Sequence, residues 1–215
     1  MTNENDSPLL TNRFRDALVF AAKAHEKQTR KGTAIPYVSH LLAVASLVIE
    51  YGGSEDAAIA ALLHDAPEDQ GGLPMLHKIR TTFGERVAAI VESCTDTFEK
   101  KKPDWQPRKR AYIAHLAAKD DAEACLVSAA DKLHNARAIL RDVRIADDRA
   151  AFWTRFTATE RQIGWYYGSL ERVLRRQLRA HASGDIVEEL ARVLDGIAGT
   201  PCEEFGEGLR VRRRE

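Results

Sequence analysis

The stretch Ala57-Ala58-Ile59-Ala60-Ala61-Leu62-Leu63-His64-Asp65-Ala66-Pro67-Glu68-Asp69 decides how this chain is read. Its first seven residues are apolar and alanine-rich. A helix apolar on most sides belongs in the centre of a protein rather than on its surface. Ser54 is placed to cap that helix, with Glu55 and Asp56 favourable in its first turn. His64 and Asp65 then follow without any polar transition. An ionised aspartate in such surroundings is costly unless something positive compensates it.

Outward from this centre, helical periodicity dominates. Over residues 13–28, Phe14, Leu18, Ala21, Ala22 and His25 recur at three- and four-residue steps. Glycine and proline break the pattern in Lys31-Gly32-Thr33-Ala34-Ile35-Pro36. Leu41, Val44, Ala45 and Val48 make the next stripe, which ends at Gly52-Gly53. Two shorter helices over 73–83 and 85–94 are hinged at Gly84. Residues 96–107, with Lys100-Lys101-Lys102 and two prolines, read as an exposed loop. Helices follow over 108–118 and from 121 to about 141, then a long amphipathic one over 152–178 and a shorter one over 186–197. No strand alternation and no internal repeat is evident. The expectation is an all-α fold, a single compact multi-helix domain over 13–198, flanked by flexible segments 1–12 and 199–215.

Composition narrows the function classes. Apolar residues make up 44% and charged residues 30%, ordinary values for a globular protein. Lys+Arg and Asp+Glu balance at 32 each, so bulk charge gives no reason to expect nucleic-acid or membrane partners. The basic run Arg210-Val211-Arg212-Arg213-Arg214 reads as a solvated terminus. Cys94, Cys125 and Cys202 are odd in number and lack paired spacing, against a disulfide framework or a structural zinc site. The first residues carry no signal-peptide pattern and no window is long and apolar enough to span a bilayer, so the expected compartment is the cytoplasm. Homo-oligomerisation stays open.

Asp131 shares the character of Asp65, since it follows Ala124-Cys125-Leu126-Val127-Ser128-Ala129-Ala130. His40 opens the second helix just after Pro36-Tyr37. Two imidazoles and two carboxylates suit a divalent transition metal such as manganese, iron or zinc. Such a cation lowers the pKa of a water and polarises a phosphoryl oxygen. Each residue alone has a plainer reading, as a helix cap or a hydrogen-bonded core group. Periodicity cannot join Asp65 to Asp131 across the intervening chain. The residues by themselves lead to a candidate metal site and no further.

Three ordered motifs carry a resemblance. Ala24-His25-Glu26-Lys27-Gln28-Thr29-Arg30-Lys31-Gly32 with Pro36-Tyr37-Val38-Ser39-His40 resembles the opening of the HD-type hydrolase domain of RelA/SpoT homologues. Ala60-Ala61-Leu62-Leu63-His64-Asp65-Ala66-Pro67-Glu68-Asp69 resembles that family's His-Asp motif and the acidic pair after it. Ala130-Asp131-Lys132-Leu133-His134-Asn135-Ala136-Arg137 resembles its last metal motif. Lys109-Arg110 after Thr95-Asp96 and the aromatic Trp165-Tyr166-Tyr167 also fit. The likeness runs from about residue 14 to 178 and is nearest to the stand-alone small alarmone hydrolases, the metazoan type included.

The resemblance implies His40, His64, Asp65 and Asp131 as metal ligands, usually around Mn2+. It implies Glu68 and Asp69 as the pair that orients or activates the attacking water, and Arg30, Lys31 and Asn135 as substrate-binding residues. His25 then either supports the metal-site loop through a hydrogen bond or is a buried structural histidine. The implied reaction is hydrolysis of the 3′-pyrophosphate of guanosine tetra- or pentaphosphate, giving GDP or GTP and pyrophosphate. Ser128-Ala129 stands where the family often has Lys-Leu, and Pro67 where a β-branched residue is common. These departures keep open an HD-type phosphatase for another nucleotide, such as NADPH or a deoxynucleotide. A non-catalytic, metal-stabilised binding module is the third reading. Trp105, in the lysine-rich 98–108 segment, reads as part of an exposed loop, or as a cover that stacks on a nucleotide.

Overall fold

The helix Glu55–Leu63 lies at the centre, with every side chain from Ala57 to Leu63 fully buried. Ser54 caps it by accepting the Ala57 N–H at 3.3 Å. The small alanine side chains let neighbours approach on several sides at once. The computed structural model describes residues 10–99 and 102–198. In chain order its helices are α1 (Asn12–Ala24), α2 (Val38–Glu50), α3 (Glu55–Leu63), α4 (Ala66–Gln70), α5 (Gly72–Phe83), α6 (Glu85–Cys94), α7 (Trp105–Ala118), α8 (Ala122–Ile145), α9 (Arg149–Trp153), α10 (Glu160–Gln177) and α11 (Asp185–Ala198). Among the described residues there is no strand beyond an isolated bridge between Thr29 and Pro36. The all-α, single-domain expectation holds. No helix of the described residues is long and apolar enough to cross a membrane. Residues 1–9 and 199–215, with Cys202 and the basic run at 210–214, lie outside the described residues, but the end of the 1–12 segment belongs to the fold, since Asn12 begins α1 and Thr11 caps it by accepting the Arg13 N–H at 3.1 Å.

Helices α1, α2, α6 and α8 surround α3, and α7, α10 and α11 close the far side of α8. Helix α8 is the longest, and its first half is buried continuously from Ala124 to Asp131. Asp121 starts it by accepting the Ala124 N–H at 3.1 Å and holds Arg86 in a fork at 2.7 and 2.9 Å. A turn between α5 and α6 places Gly84 at φ 99°, a left-handed conformation that glycine tolerates.

Two expectations need correction. Residues 152–178 do not form one helix. Thr159 and Gln162 make a reciprocal capping box that begins α10 afresh, and α9 ends at Trp153. The intervening turn is filled by a ring cluster of Phe152, Trp153 and Phe156. The 96–107 segment is not an exposed loop throughout, because α7 already begins at Trp105. Pro107 is tolerated there, being in the first turn where its missing N–H costs no helical bond. The Trp105 ring packs against Trp165 and Tyr166 at 6.4 and 5.9 Å, so it belongs to the α7–α10 contact rather than to a cover. Glu68 and Asp69 lie on a short helix, α4, with Pro67 in its first turn.

Candidate metal centre

Three helices bring the polar residues together. The start of α2 carries Tyr37 and His40, the end of α3 carries His64 and Asp65, and the middle of α8 carries Asp131, His134 and Asn135. One ligand atom each of His40, His64 and Asp65 lies within 4.8 Å of the others. Nε2 of His40 is 3.4 Å from Asp65 Oδ2 and 3.2 Å from Asp131 Oδ1. Nε2 of His64 is 3.1 Å and 3.7 Å from the same two atoms. Ligand atoms about 2.1 Å from a shared cation are about 3.0–3.4 Å apart in octahedral or tetrahedral arrangements, close to these separations.

The donors also have the right form. Both Nε2 atoms are buried and have no hydrogen-bond partner. Nδ1 of His64 lies 2.8 Å from the Ala61 carbonyl, which can only accept. That nitrogen therefore carries a proton, and a neutral His64 presents a bare Nε2. Nδ1 of His40 lies 2.7 Å from Nδ1 of His134. Burial first, then His40 and Arg30, push His134 down to about 4, so it stays neutral and can accept from His40. The carboxylates are strongly held as anions. Burial opposes the charge on Asp65, but His64 and His40 outweigh it and keep its pKa well below the usual range. Burial likewise opposes Asp131, where Lys132, His40 and His64 win. Burial disfavours a charged His64, yet Asp65 and Asp131 raise its pKa well above the usual value, so without a cation Nε2 holds a proton that a bound metal would replace. Two buried anions thus draw positive charge to one point, and a divalent cation satisfies both them and the two bare nitrogens. The residues present fit a metal of this kind.

Tyr37 donates to Asp65 Oδ2 at 2.6 Å. Burial, then the charge of Asp65, hold its phenol well above the ordinary tyrosine range, so it remains a donor. His25 stacks on the Tyr37 ring at 5.1 Å and its Nδ1 lies 2.7 Å from Gln28 Oε1. It meets the centre through the Tyr37 ring and makes no hydrogen bond to His40, His64, Asp65 or Asp131. Asn135 donates to Asp131 Oδ1 at 2.5 Å and accepts from Arg30 at 2.7 Å. Arg30 and Asn135 are therefore brought to the centre together. Lys31 stands farther out, 6.0 Å from the Phe156 ring centroid.

The acidic pair divides. Glu68 is half-buried, shares a 160 Å³ cavity with Asp65 and Asp131, and accepts from Lys102 at 2.7 Å. Asp69 does not line that cavity; it accepts from Gln28 at 2.8 Å and lies 3.7 Å from the same Lys102. A second cavity of 700 Å³ opens beside the first, lined by Arg30, Lys31, Arg137, Arg141 and Arg155 among others. Arg30, Tyr37 and Asn135 border both.

Sequence reasoning missed Tyr37, His134 and Lys132 as parts of the centre. His134 had a usable signal, since three residues beyond Asp131 on a helix is the same face. Nothing in the spacing pointed to the Tyr37 hydroxyl.

Fold and site together define an all-helical protein with a His/Asp centre suited to a divalent metal. A family model described as "HD domain" matches residues 17–162. The Xenopus tropicalis guanosine-3′,5′-bis(diphosphate) 3′-pyrophosphohydrolase MESH1 is 40% identical over 129 residues, 59% of this chain and 69% of that protein. The Escherichia coli K12 bifunctional (p)ppGpp synthase/hydrolase SpoT is 31% identical over 224 residues, 94% of this chain but 31% of its own length. A solved structure reported as "A metazoan ortholog of SpoT hydrolyzes ppGpp and plays a role in starvation responses" superposes with TM-score 0.64 at 26% identity, covering 86% of this chain and 97% of the other. The chain belongs to the HD-domain family, among its RelA/SpoT-homologue hydrolases.

Proposed function

We propose that this enzyme hydrolyses the 3′-pyrophosphate of guanosine tetra- or pentaphosphate to GDP or GTP and pyrophosphate. The observation that carries the reading is the joining of the His40–His64–Asp65 cluster, with Asp131 set against both imidazoles, to a basic cavity through the Arg30–Asn135 contact. A cavity of 700 Å³ lies within the range of about 300–1,000 Å³ that encloses small-molecule ligands. Its arginines and Lys31 match the charge of a polyphosphorylated nucleoside. Curated relatives of the metazoan and bacterial types carry the same activity in their names.

His40, His64, Asp65 and Asp131 are the residues that would hold the cation; their mixed nitrogen and oxygen set suits manganese, iron or zinc, and the resemblance to RelA/SpoT homologues favours Mn2+ among them. When bound, it supplies Lewis acidity to a phosphoryl oxygen and acidifies a water. Arg30 and Lys31 offset the charge of the substrate's phosphates, and Asn135 keeps Arg30 aligned with the centre. Glu68 faces the reacting region and accepts a proton from the attacking water. The water oxygen bonds to the 3′-phosphorus, the bond from that phosphorus to the ribose 3′-oxygen breaks, and the ribose oxygen takes up a proton. Asp69 acts at one remove, steadying Gln28 and Lys102. A nucleotide substrate implies the cytoplasm as the working compartment, with no role for nucleic acid.

The test is purified protein with Mn2+ and guanosine tetraphosphate, the products resolved by chromatography beside parallel reactions with NADPH and deoxynucleotides. GDP and pyrophosphate in equal amounts are expected. Turnover confined to NADPH or a deoxynucleotide overturns the substrate, and metal retention without any turnover favours a binding module.

A further inference from the structure

The 160 Å³ cavity beside the two aspartates contains a group that the chemistry above leaves unused. Tyr166 is buried on α10, held edge-on by Trp105 at 5.9 Å and Tyr167 at 5.8 Å. Its hydroxyl is buried with no hydrogen-bond partner, and the residue lines this cavity. Buried hydroxyls are nearly always paired, so one left without a partner beside a polar cavity marks the place of an occupant.

Two ammonium groups share the same walls. Lys109 Nζ lies 4.9 Å from the Tyr166 ring centroid and 2.7 Å from Asp96 Oδ2. Lys132 Nζ lies 5.2 Å from the Tyr112 ring centroid and is paired with Asp131. The carboxylates of the cavity are already engaged. Asp65 and Asp131 face the cation position, Glu68 takes Lys102, and Asp96 takes Arg108 and Lys109. With a divalent cation added, the cavity presents surplus positive charge and an unused donor. Burial keeps the Tyr166 phenol well above its ordinary range, so it offers a proton and never a charge.

Size separates the two cavities. At 160 Å³ the smaller falls below the usual range of about 300–1,000 Å³ for nucleotide-sized ligands and admits only a small anion. We propose that the Tyr166 hydroxyl and the Lys109 ammonium form a subsite for the distal phosphate of a diphosphate, which retains pyrophosphate after cleavage while the nucleoside lies in the larger cavity. Lys132 completes its charge from the other wall. The assignment to a substrate's distal phosphate rests on the function proposed above; the affinity of the cavity for pyrophosphate does not.

The experiment titrates the manganese-loaded full chain with inorganic pyrophosphate and, separately, with GDP, by calorimetry. A hydrogen bond to a charged phosphate implies that Tyr166→Phe loses about tenfold in pyrophosphate affinity with GDP affinity unchanged. Lys109→Met should lose at least as much. Because the hydroxyl has no partner in the protein, Tyr166→Phe should melt no lower than the parent without anion. A parent that does not bind pyrophosphate overturns the subsite. So do variants within about twofold of the parent, GDP affinity falling in step, or a lower melting point for Tyr166→Phe. If pyrophosphate binds through Tyr166 but guanosine tetraphosphate is not cleaved, the substrate reading fails and the subsite stands.

Discussion

Two charged clusters share one helix, α8, and they are built on opposite rules. At one end of α8, Arg86 is shared by Asp121 and Glu123 with every distance at hydrogen-bond length, and Asp121 also caps the helix. That cluster is partly exposed and fully satisfied. Midway along α8, His40, His64, Asp65 and Asp131 are packed closer to the core, yet two of their nitrogens have no partner. A cluster that satisfies itself stabilises a fold, whereas one that leaves its most buried atoms open is completed by something from outside.

The sharpest way to break this contrast is Asp65→Ala. It should strip the metal, measured as metal content after dialysis, and lower turnover by at least about 10³-fold. Retained metal with near-normal rate would put the two clusters on the same footing. Next comes Glu68→Gln, expected to keep the metal but lose about 10²–10⁴ in kcat. Asp69→Asn should cost less than about tenfold, since its partners are Gln28 and Lys102. Equal losses would mean that the acidic pair acts as a unit. Arg30→Ala should reduce kcat/KM by about 10²-fold through lost charge and alignment, with metal content unaffected.

The smallest effect belongs to the other cluster. Asp121→Ala should lower stability by about 1–2 kcal/mol in denaturant melts, from the lost cap and a partly exposed ion pair, and leave turnover alone. Burial works against the ionised Asp121, but Arg86 and the Ala124 N–H outweigh it and hold its pKa below the usual value. A carboxylate depressed in the folded state contributes stability above its unfolded pKa of about 4 and loses it as pH falls through the folded value. The difference between parent and Asp121→Ala should therefore shrink in melts taken progressively below about pH 4.

What the sequence made legible follows the same division. The run from Ala57 to Leu63 announces burial by itself, and the abrupt His64-Asp65 announces a conflict that needs a cation. Asp131 announces the same conflict, but only the fold brings it within 3.2 Å of His40. The second layer was harder, because Tyr37 and His134 are ordinary residues whose meaning lies in an oxygen and a nitrogen across the core. Composition misled at Trp105, where lysines and prolines looked like loop although an aromatic ring anchors the helix. The break before α10 was written in Thr159-x-x-Gln162, a local signal hidden beneath a continuous aromatic stripe.

The short bridge between Thr29 and Pro36 sets a limit on how this enzyme can diversify. Arg30 N–H binds the Ile35 carbonyl at 2.8 Å and Tyr37 N–H binds the Gln28 carbonyl at 2.9 Å, with Gly32 turning the tip at φ 73°. The cation that greets the ligand and the tyrosine that steadies an aspartate are thus mounted on one clasp. Side chains at its tip are free to change and retune what is admitted. An extra residue would slip the clasp out of register and disturb recognition and metal chemistry in a single stroke.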